Sequence, residues 1–100
     1  MKKIKVAILY SSEHGTTFNS SYWLTKHRDL MLNGIWSTAK NTEFSLCRAE
    51  DPYFAMATGI FDSREELMAA LSSGHGEATS ADIEHFFSGS PTILVTELQD

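Results

Sequence analysis

The sequence predicts an α+β fold, with two helices on one face of an antiparallel sheet. Three observations carry this. Side chains alternate at period 2 in runs at 3–11, 53–61 and 92–98. Helix-start chemistry at Asn19 and at Ser63-Arg64-Glu65-Glu66 falls between such runs. And 100 residues with 42% apolar and 21% charged side chains suit one domain of ordinary globular composition.

Lys3 to Ser11 is the first strand. Ile4, Val6, Ile8 and Tyr10 alternate with Lys5, Ala7, Leu9 and Ser11, and both sets are partly apolar, as in a strand covered on two sides. Ser12 to Thr17, centred on Gly15, is a loop. Asn19 then caps a helix, with Phe18 and Trp23 placed as a hydrophobic staple. Trp23, His27, Leu30 and Met31 share one helical face. Asn33-Gly34 stops the helix, with Gly34 as its left-handed C-terminal residue.

Ile35 to Asn41 reads as irregular, Glu43 to Arg48 as a weak second strand, and Glu50-Asp51-Pro52 as a turn. Tyr53 to Phe61 is the third strand. One face carries Tyr53, Ala55, Ala57, Gly59 and Phe61; the other carries Phe54, Met56, Thr58 and Ile60. The small residues of the first face admit a helix or a ligand at close range. Ser63 to Glu66 forms a capping box, followed by a buried stripe of Leu67, Ala70 and Leu71. Gly74-His75-Gly76 ends that helix, Ser80 or Asp82 caps a short one through Phe86 and Phe87, and Thr92 to Leu98 is the last strand.

The order β-α-β-β-α-β is the split βαβ, or ferredoxin-like, arrangement. Its helices cover one sheet face only. The other face, expected to carry Tyr10, Phe54, Met56 and Ile60, needs a cover, because a large apolar patch marks an interface. A twofold homodimer joined sheet to sheet is the simplest cover.

Charge excludes some classes. A net charge of −5 argues against nonspecific nucleic-acid binding, and the only basic cluster, Lys2, Lys3 and Lys5, lies along the first strand. No run nears the ~18 apolar residues of a membrane span. Met1-Lys2-Lys3 is followed by an apolar run only from Val6 to Tyr10, shorter than the roughly 7–15 residues of a secretory h-region. The single Cys47 allows no internal disulfide and no cysteine-based zinc site, which fits the reducing cytoplasm.

Several segments carry a family resemblance. They are Ile4-Lys5-Val6-Ala7-Ile8-Leu9-Tyr10, Phe18-Asn19-Ser20-Ser21-Tyr22-Trp23 with His27, Pro52-Tyr53-Phe54-Ala55-Met56-Ala57 with Phe61-Asp62-Ser63, Ala69-Ala70-Leu71, Ala81-Asp82-Ile83-Glu84-His85-Phe86, and the strand after Pro91. In this order they resemble the EthD family, the ethyl tert-butyl ether degradation type, as one EthD-like domain over 1–100. The resemblance implies a ferredoxin-like protomer of a dimeric α/β barrel. That superfamily also holds small monooxygenases, muconolactone isomerases, stress-responsive barrels and haem-handling proteins. For EthD it implies a link to xenobiotic or aromatic degradation without a settled reaction, and some fungal relatives act as dehydratases or decarboxylases. The family's Phe-Asp before the helix is Phe18-Asn19 here, and its His-x-Pro-Leu is His27-Arg28-Asp29-Leu30. Such a resemblance fixes fold better than chemistry.

His27 is the candidate catalytic residue: an imidazole on an apolar helix face titrates near neutrality and can move a proton. Its rival role is structural, bonding a backbone carbonyl. Tyr10, Tyr22, Trp23 and Phe54 are candidate ligand contacts, with core or dimer packing as the alternative. His14, His75 and His85 lack metal-ligand spacing and read as loop residues, so no metal and no cofactor are expected. Cys47 reads as a small hydrophobe, and Asp82 as a helix cap. The expected function is a homodimer binding a small apolar or aromatic metabolite. If it is an enzyme, it is a cofactor-independent lyase, isomerase or oxygenase using His27. The alternatives are a noncatalytic carrier or stress-related accessory barrel, and a haem-binding or monooxygenase-type barrel.

Overall fold

Four strands, β1 (Ile4–Ser11), β2 (Lys40–Leu46), β3 (Tyr53–Phe61) and β4 (Thr92–Glu97), form one sheet in the order β2-β3-β1-β4. The computed structural model describes residues 2–99. Every neighbouring pair is antiparallel, and β3 lies between β1 and β2, as the split βαβ order requires.

Register decides what faces the helices. Ile4 pairs with Phe61, Val6 with Gly59, Ile8 with Ala57 and Tyr10 with Ala55, and directly opposed residues share a face. Ile4, Val6, Ile8 and Tyr10 are all buried there. Tyr10 was expected on the open face. The same period 2 that turns Ile8 inward turns Tyr10 inward too. Phe54 leaves the open face for another reason. A β-bulge shifts the register between Tyr10 and Ser11, whose partners are Ala55 and Tyr53, so Phe54 is the extra residue. Its ring stacks on Phe18 at 5.4 Å. The open face keeps Ala7, Leu9, Met56, Thr58, Ile60 and Leu94.

β2 begins three residues before the expected Glu43, at Lys40. Its register slips between Lys40 and Glu43, where Asn41 adopts φ 51°, a conformation that asparagine tolerates.

The first helical rod comprises α1 (Ser20–Tyr22), a π-turn (Trp23–His27) and α2 (Arg28–Asn33), with right-handed helical dihedrals at both junctions. Asn19 caps it, accepting from the Tyr22 amide at 3.1 Å. Gly34 ends it at φ −122°, outside the expected left-handed region. Glycine is needed there for space: a Cβ would sit 2.8 Å from the Leu30 carbonyl oxygen and against His75. The irregular stretch that follows supplies core, with Ile35 and Trp36 both buried.

α3 (Arg64–Ser72) starts as read. Ser63 Oγ accepts from the Glu66 amide at 3.1 Å, while the Glu66 carboxylate reaches back to the Asp62 amide at 2.9 Å. Of its expected stripe Leu67 is buried, Ala70 half-buried and Leu71 exposed. The expected stop at Gly74 is the start of α4 (Gly74–Asp82). Ser73 takes an extended conformation and breaks the rod. Gly76 lets the chain turn back closely, because a Cβ there would lie 2.4 Å from the Leu71 carbonyl oxygen. Asp82 therefore closes a helix instead of capping the next one. A 3-10 turn, Ile83–His85, then delivers Phe86 and Phe87 to the core.

Tyr10 sits at the hub of an aromatic cluster. Its ring lies 5.3–5.6 Å from Phe18, Trp23, Phe86 and Phe87, mostly edge to face. Each such pair adds about 0.5–1.5 kcal/mol beyond burial. β4 is the opposite case and is exposed throughout. Among the described residues no helix is long and apolar enough to cross a membrane.

Candidate functional site

A cavity of about 630 Å³ lies between α3 and α4 on one side and β1 and β4 on the other. Its walls are aliphatic: Val6 and Ile8 from β1, Leu67 from α3, Ile93 and Val95 from β4, and Ile35. Its size and apolar lining suit a small organic ligand. His27 and Tyr10 reach it from the first rod and from β1.

The π-turn aims His27. The Arg28 amide bonds to the Trp23 carbonyl, five residues back, which widens the turn. Trp23, His27 and Met31, at steps of four, then all point inward and are buried. The His27 ring packs on Phe86, with centroids 4.4 Å apart.

Its Nδ1 lies 2.9 Å from Asp82 Oδ2, across from the end of α4. The other oxygen of that carboxylate, Oδ1, accepts from the Tyr22 hydroxyl at 2.7 Å. Burial works to raise the Asp82 carboxyl, but the hydrogen bonds from His27 and Tyr22 outweigh it and hold the group below the ordinary aspartate range. Burial lowers His27 from its usual value, and Asp82 recovers only part of that. Near neutral pH the pair is therefore a carboxylate beside a neutral imidazole. An ionised carboxylate can only accept, so Nδ1 carries the hydrogen and Nε2 keeps the lone pair. Among the described residues the side-chain hydrogen bond of His27 runs through Nδ1 and none runs through Nε2. An oriented imidazole with a free lone pair beside an apolar cavity can take a proton from a bound molecule. Tyr22 is the third member of the chain, its hydroxyl raised above 10.0 by the bond to Asp82. Burial pushes the Tyr10 hydroxyl up to about 12, with Trp23 acting the other way, so Tyr10 stays a neutral phenol.

No family model and no curated protein matches this sequence. Solved structures do. An EthD-like protein from Ralstonia eutropha JMP134 superposes with a TM-score of 0.82 at 23% identity, over 97% of this chain and 92% of that one. An EthD family protein from Bacillus halodurans C-125 gives 0.77 at 17% identity, over 99% and 100%. The fold is of the EthD type. A dimeric ferredoxin-like protein of unknown function from Thermobifida fusca YX gives 0.67 at 13% identity, over 97% and 92%.

Within this EthD-type fold the candidates read from sequence separate. His27 and Tyr10 line the cavity. Tyr22 lies outside its lining and acts on His27 through Asp82. Trp23 is fully buried among Tyr10, Phe18 and Phe44, and Phe54 packs on Phe18 and Phe87. His14 is exposed at the loop tip, His75 lies on α4 against Gly34, and the His85 ring lies 5.9 Å from that of Tyr22. Among the described residues no three His, Cys, Asp or Glu side chains gather as a metal site. Burial raises the Cys47 thiol, away from a reactive thiolate. Sequence reasoning missed Asp82, whose side chain looked like a cap. Its partner lies 55 residues away along the chain, and no local signal links them.

Proposed function

We propose that this EthD-type protein is a homodimer that binds a small apolar or aromatic metabolite and moves a proton on it with His27, without a cofactor. The observation that supports this most is the 2.9 Å contact between Asp82 and His27 Nδ1 beside an apolar cavity. It fixes the tautomer in which Nε2 is a base. When Nε2 takes a proton from the ligand, the imidazolium lies against the Asp82 carboxylate, which stabilises it. The same nitrogen can return the proton to a neighbouring ligand atom, giving isomerisation, or to a leaving group, giving elimination.

The dimer reading draws on the open sheet face with Leu9, Met56, Ile60 and Leu94, and on the dimeric description of the Thermobifida fusca relative. A sheet-to-sheet pair would cover that stripe. The unpaired Cys47 suits a reducing, cytoplasmic setting.

A thermal-shift screen of aromatic and apolar metabolites tests the binding reading, since a ligand at a hundredfold excess over Kd adds about 2.7 kcal/mol of stability. Hits are then incubated with the protein and with His27→Ala. Turnover by the parent chain, lost in the variant while binding persists, supports the base. Binding without turnover in either makes the protein a noncatalytic carrier. Light scattering at micromolar concentration should give twice the 11.2 kDa chain mass; a clean monomer refutes the dimer.

A further inference from the structure

The charge pattern of the cavity narrows what it accepts. Among the described residues no Lys or Arg lines it. Its ionisable lining groups are His27, Tyr10 and Glu77, and Glu77 is exposed on α4. Its remaining polar side chains, the hydroxyls of Thr79, Ser80 and Ser90 and the indole N–H of Trp36, are neutral. Behind His27 stands the Asp82 carboxylate. A carboxylate or phosphate ligand would leave water for an apolar pocket that offers no counter-charge, next to one fixed anion and near another, which is strongly unfavourable.

The hydrogen-bond polarity is equally defined. Because Asp82 holds the hydrogen on Nδ1, the nitrogen left for a ligand is an acceptor. At Nε2 a bare carbonyl or ether oxygen finds no donor, whereas an O–H finds an acceptor.

We infer that the cavity selects an uncharged aromatic molecule bearing an acidic O–H, a phenol or an enol, with that hydroxyl donating to His27 Nε2, and that it rejects aromatic carboxylates. This rests on the cavity reading above and adds the chemical class of the ligand.

The test uses three naphthalenes of similar size, 1-naphthol, 1-methoxynaphthalene and 1-naphthoate, displacing the fluorescent neutral probe N-phenyl-1-naphthylamine from the full chain at pH 7.5. The naphthol should bind about 3- to 10-fold tighter than the methyl ether, the worth of one net hydrogen bond. The naphthoate should bind more weakly than either. In His27→Phe the naphthol should fall to the level of the ether. Independently of that variant, naphthol binding should shift the ¹⁵N resonance of Nε2 in the parent chain and leave Nδ1 nearly unmoved. If the neutral probe itself fails to bind, the cavity reading falls and this inference with it. If the probe binds but the naphthoate competes as well as the naphthol, or the ether matches the naphthol, the ligand class is wrong while the cavity reading stands.

Discussion

The two ends of the layer between helices and sheet are built differently. At the end near Tyr10, Phe18, Trp23, Phe86 and Phe87 interdigitate at ring separations near 5.5 Å. At the other end, under α4, the same sheet faces a cavity of about 630 Å³. Backbone topology does not make this difference, since both ends share β1. Side-chain size does. The residues that α4 turns toward the sheet include Gly76, Thr79 and Ser80, too short to reach Ile93 and Val95 opposite. Those two β4 residues remain 58% and 44% exposed, while Trp23 has no exposed surface. One end stores stability and the other stores space.

The largest effect that could break this contrast is at Trp23. Trp23→Ala should cost about 3–5 kcal/mol in chemical denaturation, as for other large core truncations, whereas Ile93→Ala should stay within about 0.5 kcal/mol. Equal losses would mean the hollow end carries load after all.

Next comes the link between the ends. Asp82→Asn removes the carboxylate that accepts from both His27 and Tyr22. A loss of about 1–3 kcal/mol is expected, with the His27 pKa, followed by NMR, falling further because the opposing effect of Asp82 is gone. An unchanged or raised value would show that the pair is not coupled.

Acid should act on the same link. The folded-state pKa of His27 lies below its unfolded value of 6.5, so the unfolded chain binds more protons between the two. Asp82 is depressed below 3.8 and adds its own loss at lower pH. Both signs agree: stability is fully present above about 6.5, falls as pH drops through it, and falls again through the carboxylate range. Melting curves from pH 8 to 3 should show both declines, and His27→Phe should abolish the first. A first decline that survives in this variant would assign it elsewhere.

The smallest effect is at the hollow end. Gly74→Ala places a methyl in open space at the start of α4, and should stabilise by at most about 1 kcal/mol through helix propensity. Destabilisation would mean that α4 needs glycine there for a reason other than propensity.

The same contrast explains what could be read in the chain beforehand. β1, β3 and the Ser63 cap were legible because period-2 alternation and a capping box are local patterns. That alternation also turns Tyr10 inward with Ile4, Val6 and Ile8, against its expected place on the open face. Phe54 was not available, because a bulge breaks the period where it occurs. α4 was hidden by its glycines. They read as a stop, yet the first turn of a helix leaves its amides without intrahelical partners in any case, and the tight approach to Leu71 makes Gly76 necessary. The site was half legible: periodicity put His27 on the inner helix face, but the carboxylate that fixes its tautomer comes from a helix that local reasoning ended too early.

The π-turn that aims His27 has a consequence for how this chain can change over time. It holds one residue more than a regular turn would. Losing a single residue between Trp23 and His27 would restore ordinary helical geometry, keep Met31 on the inner face and narrow the turn that aims His27. A loss from the regular segments on either side would instead rotate everything after it by about 100°. In any set of descendants, a one-residue gap confined to 23–27 would mark a lineage that has given up the aim of His27 while keeping the core around it.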